Sequence, residues 1–157
     1  MAQLLLLLLC GAAGRLVRAD PAADAKLVQQ HVALKANGTF RPPSGVLRFP
    51  YLVPAGPYEE MWDWDSLFMG VALADYGSIP YFAGTFMNFL DHTNATDGEV
   101  QGCIKPTGAD GVIVHAKPVL LQGAWLATKH AQQQNPGLGA ATLAGFEKFK
   151  PQMEALL

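Results

Sequence analysis

The stretch Tyr58-Glu59-Glu60-Met61-Trp62-Asp63-Trp64-Asp65-Ser66-Leu67-Phe68 sets four carboxylates and two tryptophans within the eight positions from Glu59 to Ser66. That combination can grip a sugar. A carboxylate accepts two hydroxyl hydrogen bonds at once, and these are charge-assisted and stronger than neutral ones. A tryptophan covers the apolar C–H face of a pyranose ring and offers a polar N–H at its edge. If residues 59–65 are extended, Trp62 and Trp64 point one way while Asp63 and Asp65 point the other. The helix signature begins only at Asp65 or Ser66, so an aromatic wall and a carboxylate pair would sit just ahead of a helix N-terminus. The positive end of that helix favours an ionised Asp65.

Two plainer readings stay open on the residues alone. Asp65 can simply cap the helix, with Trp62 and Trp64 in the core and the glutamates in solvent. Clustered carboxylates also suit Ca²⁺, but no Asp/Asn/Gly loop with the required ligand spacing is present, and no metal site or cofactor is expected.

The elements that would hold these residues are mostly helical. A short helix is expected over 24–36, with Leu27, Val28, His31 and Leu34 near one stripe and Gly38 as the stop. Residues 38–57 contain five prolines and form a loop, apolar enough in "GVLRFPYLVP" to lie against the body of the protein. A helix from Asp65 or Ser66 runs to about Asp75 and closes at Gly77. Ser78 as N-cap and Pro80 in the first turn start another, reaching about Leu90, with Phe82, Phe86, Phe89 and Leu90 on one apolar face.

Residues 92–116 read as a loop carrying a hairpin, "EVQGCI" and "GVIVHA" around "KPTGAD". Lys117 and Pro118 begin a third strong helix to about Gln133, its stripe formed by Leu121, Ala124, Trp125 and Thr128. "NPGLG" is a break. From 140 to 157, Phe146, Phe149, Met153 and Leu156 recur at steps of three and four around Pro151. The pattern is an all-α class built of antiparallel helix pairs with one small hairpin. The last stripe reaches "EALL" without a cap or a polar tail, which leads us to expect a chain that continues in the complete protein. A short docked C-terminal helix is the alternative.

The first 19 residues, with six consecutive leucines, small residues after them, and Val17 and Ala19 at the cleavage position, predict a secretory signal peptide. The run is too short to span a bilayer. Cleavage after Ala19 removes Arg15 and Arg18. The Lys+Arg count falls from 11 to 9 against 13 Asp+Glu, and the formal charge moves from −2 to −4. That argues against nucleic acid or an anionic membrane surface as partner. Cys10 leaves with the leader, so Cys103 stands alone, without a basic neighbour closer than Lys105 to activate it. Two sequons, at Asn37 and Asn94, fit a glycoprotein of the secretory pathway lumen or exterior. The organisation expected is therefore a leader at 1–19, a helix and apolar loop over 20–57, and a helical domain over 58–157.

Other chemistry finds little support. His31, His92, His115 and His130 show no metal spacing, no G-x-S-x-G turn is present, and "GLGAATLAG" lacks the strand and Lys-Ser/Thr of a phosphate loop.

"PYEEMWDWDSLFMGVAL" resembles the E-x-W-x-W-D-S/T-x-F signature near the N-terminus of (α/α)6-barrel glycosidases. That group includes the trehalases, the processing α-glucosidases of family 63 and the related mannosylglycerate and glucosylglycerate hydrolases. "YFAGTFMNFL" is similar to the second barrel helix, and "HAKPVLLQGAWLATKH" to a later Q/K-P-P-x-x-a-W-A segment, so the likeness extends over roughly residues 48–157. It implies an incomplete (α/α)6 toroid of about four to five helices. Trp62, Trp64 and Asp65 would line the glycone pocket, with Glu60 opening the signature and Lys117 in the polar slot before Pro118. Val119 stands where the pattern has a second proline, and lysine stands where glutamine is frequent.

The implied activity is inverting hydrolysis of an α-linked glucoside or mannoside. The two carboxylates that perform it, an acid and a base separated by room for water, lie downstream of the Lys-Pro segment in that family. Glu99 and Asp110 match neither position, and Glu147 and Glu154 fall on the polar side of the last helix. The catalytic pair is thus expected beyond residue 157, with the rest of the barrel and an oligosaccharide or small sugar as partners. This chain alone would be a half-site. The alternative is a small helical protein that recognises carbohydrate, or another partner, without chemistry.

Overall fold

The structure is a computed structural model that describes residues 20–108 and 118–157. It divides into two compact units, residues 1–32 and 33–157. The described part of the first is most of helix α1 (Pro21–Ala36). α1 begins three residues earlier than the sequence suggests, because Asp20 starts it. The Asp20 Oδ1 accepts the Ala22 N–H at 3.0 Å and its carbonyl accepts the Asp24 N–H at 2.9 Å, with Pro21 in the first turn. Leu27 and Leu34 stay 66% and 76% exposed, so the expected stripe is not a buried face. The expected leader, residues 1–19, lies outside the described residues, as does the segment from Ala109 to Lys117.

The second unit is predominantly helical, with two very short antiparallel ladders. After α1 come strands β1 (Phe40–Arg41), β2 (Tyr51–Leu52) and β3 (Met61–Trp62), then α2 (Asp63–Ala72), a 3-10 turn (Ala74–Tyr76), α3 (Ile79–Asp91) and β4 (Cys103–Ile104). Three helices finish the chain: α4 (Leu120–Gln134), α5 (Pro136–Glu147) and α6 (Lys150–Ala155). β1 pairs with β2, Phe40 opposite Leu52, and β3 pairs with β4, Met61 opposite Ile104.

α3 is the centre of this unit. Ten of its thirteen residues are buried, from Ile79 through Leu90, and a helix apolar all round belongs in a core. Phe82, Phe86 and Phe89 are wholly buried and touch in sequence, Phe82 against Phe86 edge-on at 5.6 Å. The Pro-rich loop lies on α3, as its apolar character suggests: Leu47, Tyr51, Leu52 and Val53 are buried. Two polar side chains of α3 hold it there. Asn88 accepts the Phe49 N–H and donates to the Phe49 carbonyl, both at 3.0 Å, and the Thr85 hydroxyl accepts the Leu52 N–H at 2.8 Å. The buried strand-like stretch thereby satisfies backbone groups that a neighbouring strand would otherwise serve.

Small residues let the helices close. A Cβ at Gly70 would come within 2.0 Å of the Phe82 ring, and one at Gly123 within 2.3 Å of the Phe86 ring. Several boundaries and faces differ from expectation. α4 buries Leu120, Gly123, Ala124, Ala127 and Ala131, while Trp125 is 59% exposed with the Lys129 ammonium 5.1 Å from its ring centre. The buried stripe is rotated from the predicted one because Gly123, not a large side chain, meets the Phe86 ring of α3, with Ala127 buried one turn on. The break expected at "NPGLG" falls at Asn135, which is extended between α4 and α5, and the same residues start the next helix: Asn135 caps α5 by accepting the Gly137 and Leu138 N–H groups at 2.8 and 3.2 Å, with Pro136 at the first position. The terminal stripe is divided between α5 and α6, with Phe146 and Phe149 buried and Met153 and Leu156 packed against them.

Candidate functional site

The carboxylate–tryptophan stretch does not adopt the extended geometry that the sequence suggests. Only Met61 and Trp62 are strand, and α2 begins at Asp63, two residues before the expected start. Two interactions fix that start. The Asp63 N–H donates to the Gly102 carbonyl at 3.0 Å, and the Asp63 Oδ1 accepts the Trp64 N–H at 2.7 Å. Trp62 is the last extended residue, φ −121° and ψ 139°. The strand therefore ends where the Gly102 carbonyl becomes the acceptor at the helix mouth, and the helical 3.6-residue period takes over from the strand period of two.

The consequence is that the two tryptophans separate. Trp62 is half-buried, with its indole N–H buried and without a hydrogen-bond partner among the described residues. Trp64 is 47% exposed on α2, its ring 6.4 Å from that of Phe68, which is itself 66% exposed. The predicted single wall is replaced by an exposed aromatic pair, Trp64 and Phe68, at helical spacing i, i+4. The carboxylates separate as well. Asp63 is fully buried, while Asp65 is half-buried in the first turn of α2. Glu60 is half-buried, and its Oε2 accepts the Glu59 N–H at 3.2 Å. Ser66, expected at the helix start, is the fourth residue of α2 and completely buried, with an unpartnered hydroxyl.

The N-terminal part of α2 thus carries the exposed aromatic pair Trp64 and Phe68 and the half-buried carboxylate of Asp65, with half-buried Glu60 in the chain just before β3. Carboxylates at this end of a helix face its positive pole. Such a surface can accept hydroxyl hydrogen bonds beside an apolar ring face. Trp62, Trp64, Asp65 and Glu60 line none of three clefts formed by described residues. The largest of these, about 320 Å³ beside Leu121, Phe146 and Met153, is apolar. A second, about 170 Å³, adjoins it next to Trp125. The third, about 250 Å³, lies between His92, Glu99 and Gln101. The sequence carries a weak signal for this third cleft, a run of carboxylates without a cation, which composition alone could not distinguish from a solvated turn.

Lys117, the predicted polar slot, and His115 and Asp110 lie outside the described residues. Of the predicted hairpin of 99–116, Cys103 and Ile104 in its first half form a strand that pairs with Trp62 and Met61, some forty residues earlier, while its second half, 111–116, lies outside the described residues. This pairing supports the Gly102 carbonyl that sets the start of α2. Both sequon asparagines are exposed. Asn94 is built into a turn, its Oδ1 accepting the Thr96 N–H at 2.9 Å and its Nδ2 donating to Asp97 at 3.0 Å. Glu147 is exposed, and exposed Glu154 meets Lys150 at 3.7 Å, so these two are surface charges.

Among the described residues no group of three or more His, Cys, Asp or Glu side chains could hold a metal ion, and no helix is long and apolar enough to cross a membrane. Comparison with protein families, with curated proteins and with solved structures finds no match to this chain.

Proposed function

We propose that this chain is the glycone-binding part of an inverting glycoside hydrolase that acts on an α-linked glucoside or mannoside. On this reading the acid and base lie beyond residue 157, and an (α/α)6 toroid is completed by further chain. The observation that carries it is the juxtaposition at the mouth of α2. Trp64, 47% exposed, stands next to the half-buried carboxylate of Asp65 in the first turn of α2, within the W-x-W-D-S stretch that resembles those enzymes. Trp64 stacks on the sugar ring, Asp65 accepts two adjacent hydroxyl protons and Glu60 completes the polar rim; Lys117, outside the described residues, is assigned to substrate binding by the resemblance alone. Residues 1–19 act as a secretory leader, and Asn37 and Asn94 carry glycans.

Binding is tested on the full chain by tryptophan fluorescence with methyl α-glucoside and methyl α-mannoside. One of them should give saturable quenching, weakened at least about ten-fold in Asp65→Asn, since a hydrogen bond to a charged group is worth roughly 1.5–3 kcal/mol. The absence of a saturable response to both sugars would remove the reading.

A second reading, a small helical protein that binds carbohydrate or a partner without chemistry, is favoured by the continuous core around α3, from Leu47 to Phe149. It predicts a cooperative unfolding transition of this chain alone. Hydrolysis appearing only when the chain is extended past residue 157 decides for the enzyme.

A further inference from the structure

The segment from Asp91 to Ile104 contains three carboxylates, Asp91, Asp97 and Glu99, and no lysine or arginine. Two of them are occupied. Asp91 pairs with Arg48, and Asp97 accepts the Glu99 N–H and the Asn94 amide at 2.9 and 3.0 Å. The Glu99 carboxylate has no such partner among the described residues, and it lines the 250 Å³ cleft together with His92, Asn94, Val100, Gln101 and Ile104.

Two further groups there are acceptors. The His92 Nδ1 lies 2.9 Å from the Asn88 carbonyl. A carbonyl only accepts, so Nδ1 carries the hydrogen, and in the neutral ring Nε2 keeps its lone pair. The Gln101 Oε1 is buried with no hydrogen-bond partner among the described residues, a condition that costs free energy unless a donor arrives. The Asn94 side chain is already spent within its turn. Val100 and Ile104, 6% and 2% exposed, supply an apolar floor.

The walls are held in place. The Asn94 N–H donates to the Glu99 carbonyl at 2.9 Å, and Gly98, at φ 74°, packs so closely that a Cβ would come within 2.3 Å of the Ala155 carbonyl oxygen. β4 fixes the other side by pairing with β3.

We propose that this cleft binds a primary ammonium ion carried on a short alkyl stem. An ammonium has three N–H donors and no acceptor. The acceptors the cleft lining offers them are the Glu99 carboxylate and the His92 Nε2, on two exposed side chains, and the Gln101 Oε1 at the inner wall, while the stem lies on Val100 and Ile104. With Asp91 neutralised by Arg48, the remaining charge of Asp97 and Glu99 favours a cation over a neutral polyol. The site is independent of the sugar-binding surface on α2. A free alkylamine and a lysine side chain share this chemistry.

The test is a titration of the full chain by methyl NMR, reading Val100 and Ile104, with n-butylammonium, Nα-acetyl-lysine methylamide and n-butanol as probes. The expected result is a saturable shift with one or both cations; the tighter of the two names the source. n-Butanol should bind at least about ten-fold more weakly, and Glu99→Gln should lose about ten-fold in affinity for the cation. Asp75→Asn, at an exposed carboxylate on the 3-10 turn, should change nothing. An equal response to n-butanol, unchanged affinity in a folded Glu99→Gln variant, or saturable binding of Zn²⁺ but of neither cation would each overturn the proposal.

Discussion

Replacing Asn88 by Leu tests how the apolar loop is held on α3. The substitution keeps the branched shape and heavy-atom count of a fully buried side chain but removes both of its hydrogen bonds, one to the Phe49 N–H and one to the Phe49 carbonyl. Each backbone group left dry costs about 1–3 kcal/mol. Phe49 is half-buried, so water can reach part of it and the lower half of the range applies. The expected loss is about 3 kcal/mol, against a total of roughly 5–15 kcal/mol for a domain of ordinary stability. With a urea slope of about 1.5 kcal/mol/M, the unfolding midpoint should fall by about 2 M at unchanged slope. Urea titration followed by circular dichroism reads both quantities. A loss below about 1 kcal/mol would refute the reasoning, because it would mean that water serves Phe49 as well as Asn88 does. A changed slope would show that the loop detaches in the folded state.

Gly70→Ala should destabilise by about 1–3 kcal/mol, because the new Cβ would fall 2.0 Å from the Phe82 ring at the crossing of α2 and α3; thermal unfolding checks it, and an unchanged midpoint would mean that Phe82 moves aside freely. Burial raises the Tyr51 phenol above its ordinary value of 10.0, with Arg41 opposing and Glu59 adding to the shift. The fold therefore holds this proton more tightly than the unfolded chain does. The contribution is complete below pH 10 and is lost as pH rises through the higher folded value. Tyr51→Phe should flatten the alkaline limb of the stability curve, and an unaltered limb would assign it to other groups.

How far these elements could be read from the chain depends on the range of the forces that make them. The boundaries of α3 are legible because each signal is local: Pro80 in the first turn, Gly77 free to adopt φ 78°, and aromatic residues at helical spacing. The apolar Pro-rich loop likewise announces that it lies against a core, although its partners Asn88 and Thr85 do not announce themselves. At "NPG" the local signal itself supports two structures, since Asn before Pro serves a turn and a helix cap equally well.

The carboxylates, tryptophans and serine of residues 59–66, and hence the kinds of atoms available to meet a sugar, follow from sequence alone. Which of them face outward does not. That was decided by Gly102, nearly forty positions away, whose carbonyl takes the Asp63 N–H and starts α2 two residues early. A shift of two residues at the junction between a period of 2 and a period of 3.6 sends Trp64 outward with Phe68, buries Asp63, and leaves Asp65 at the helix mouth. The amphipathic stripe of α4 is rotated for a similar reason. Hydrophobicity selects large side chains for the interior, but close approach to Phe86 of α3 selects Gly123, leaving Trp125 outside. Local propensity sets what a segment can become, and only the neighbouring chain, by its volume and its free backbone groups, decides which face is turned toward solvent.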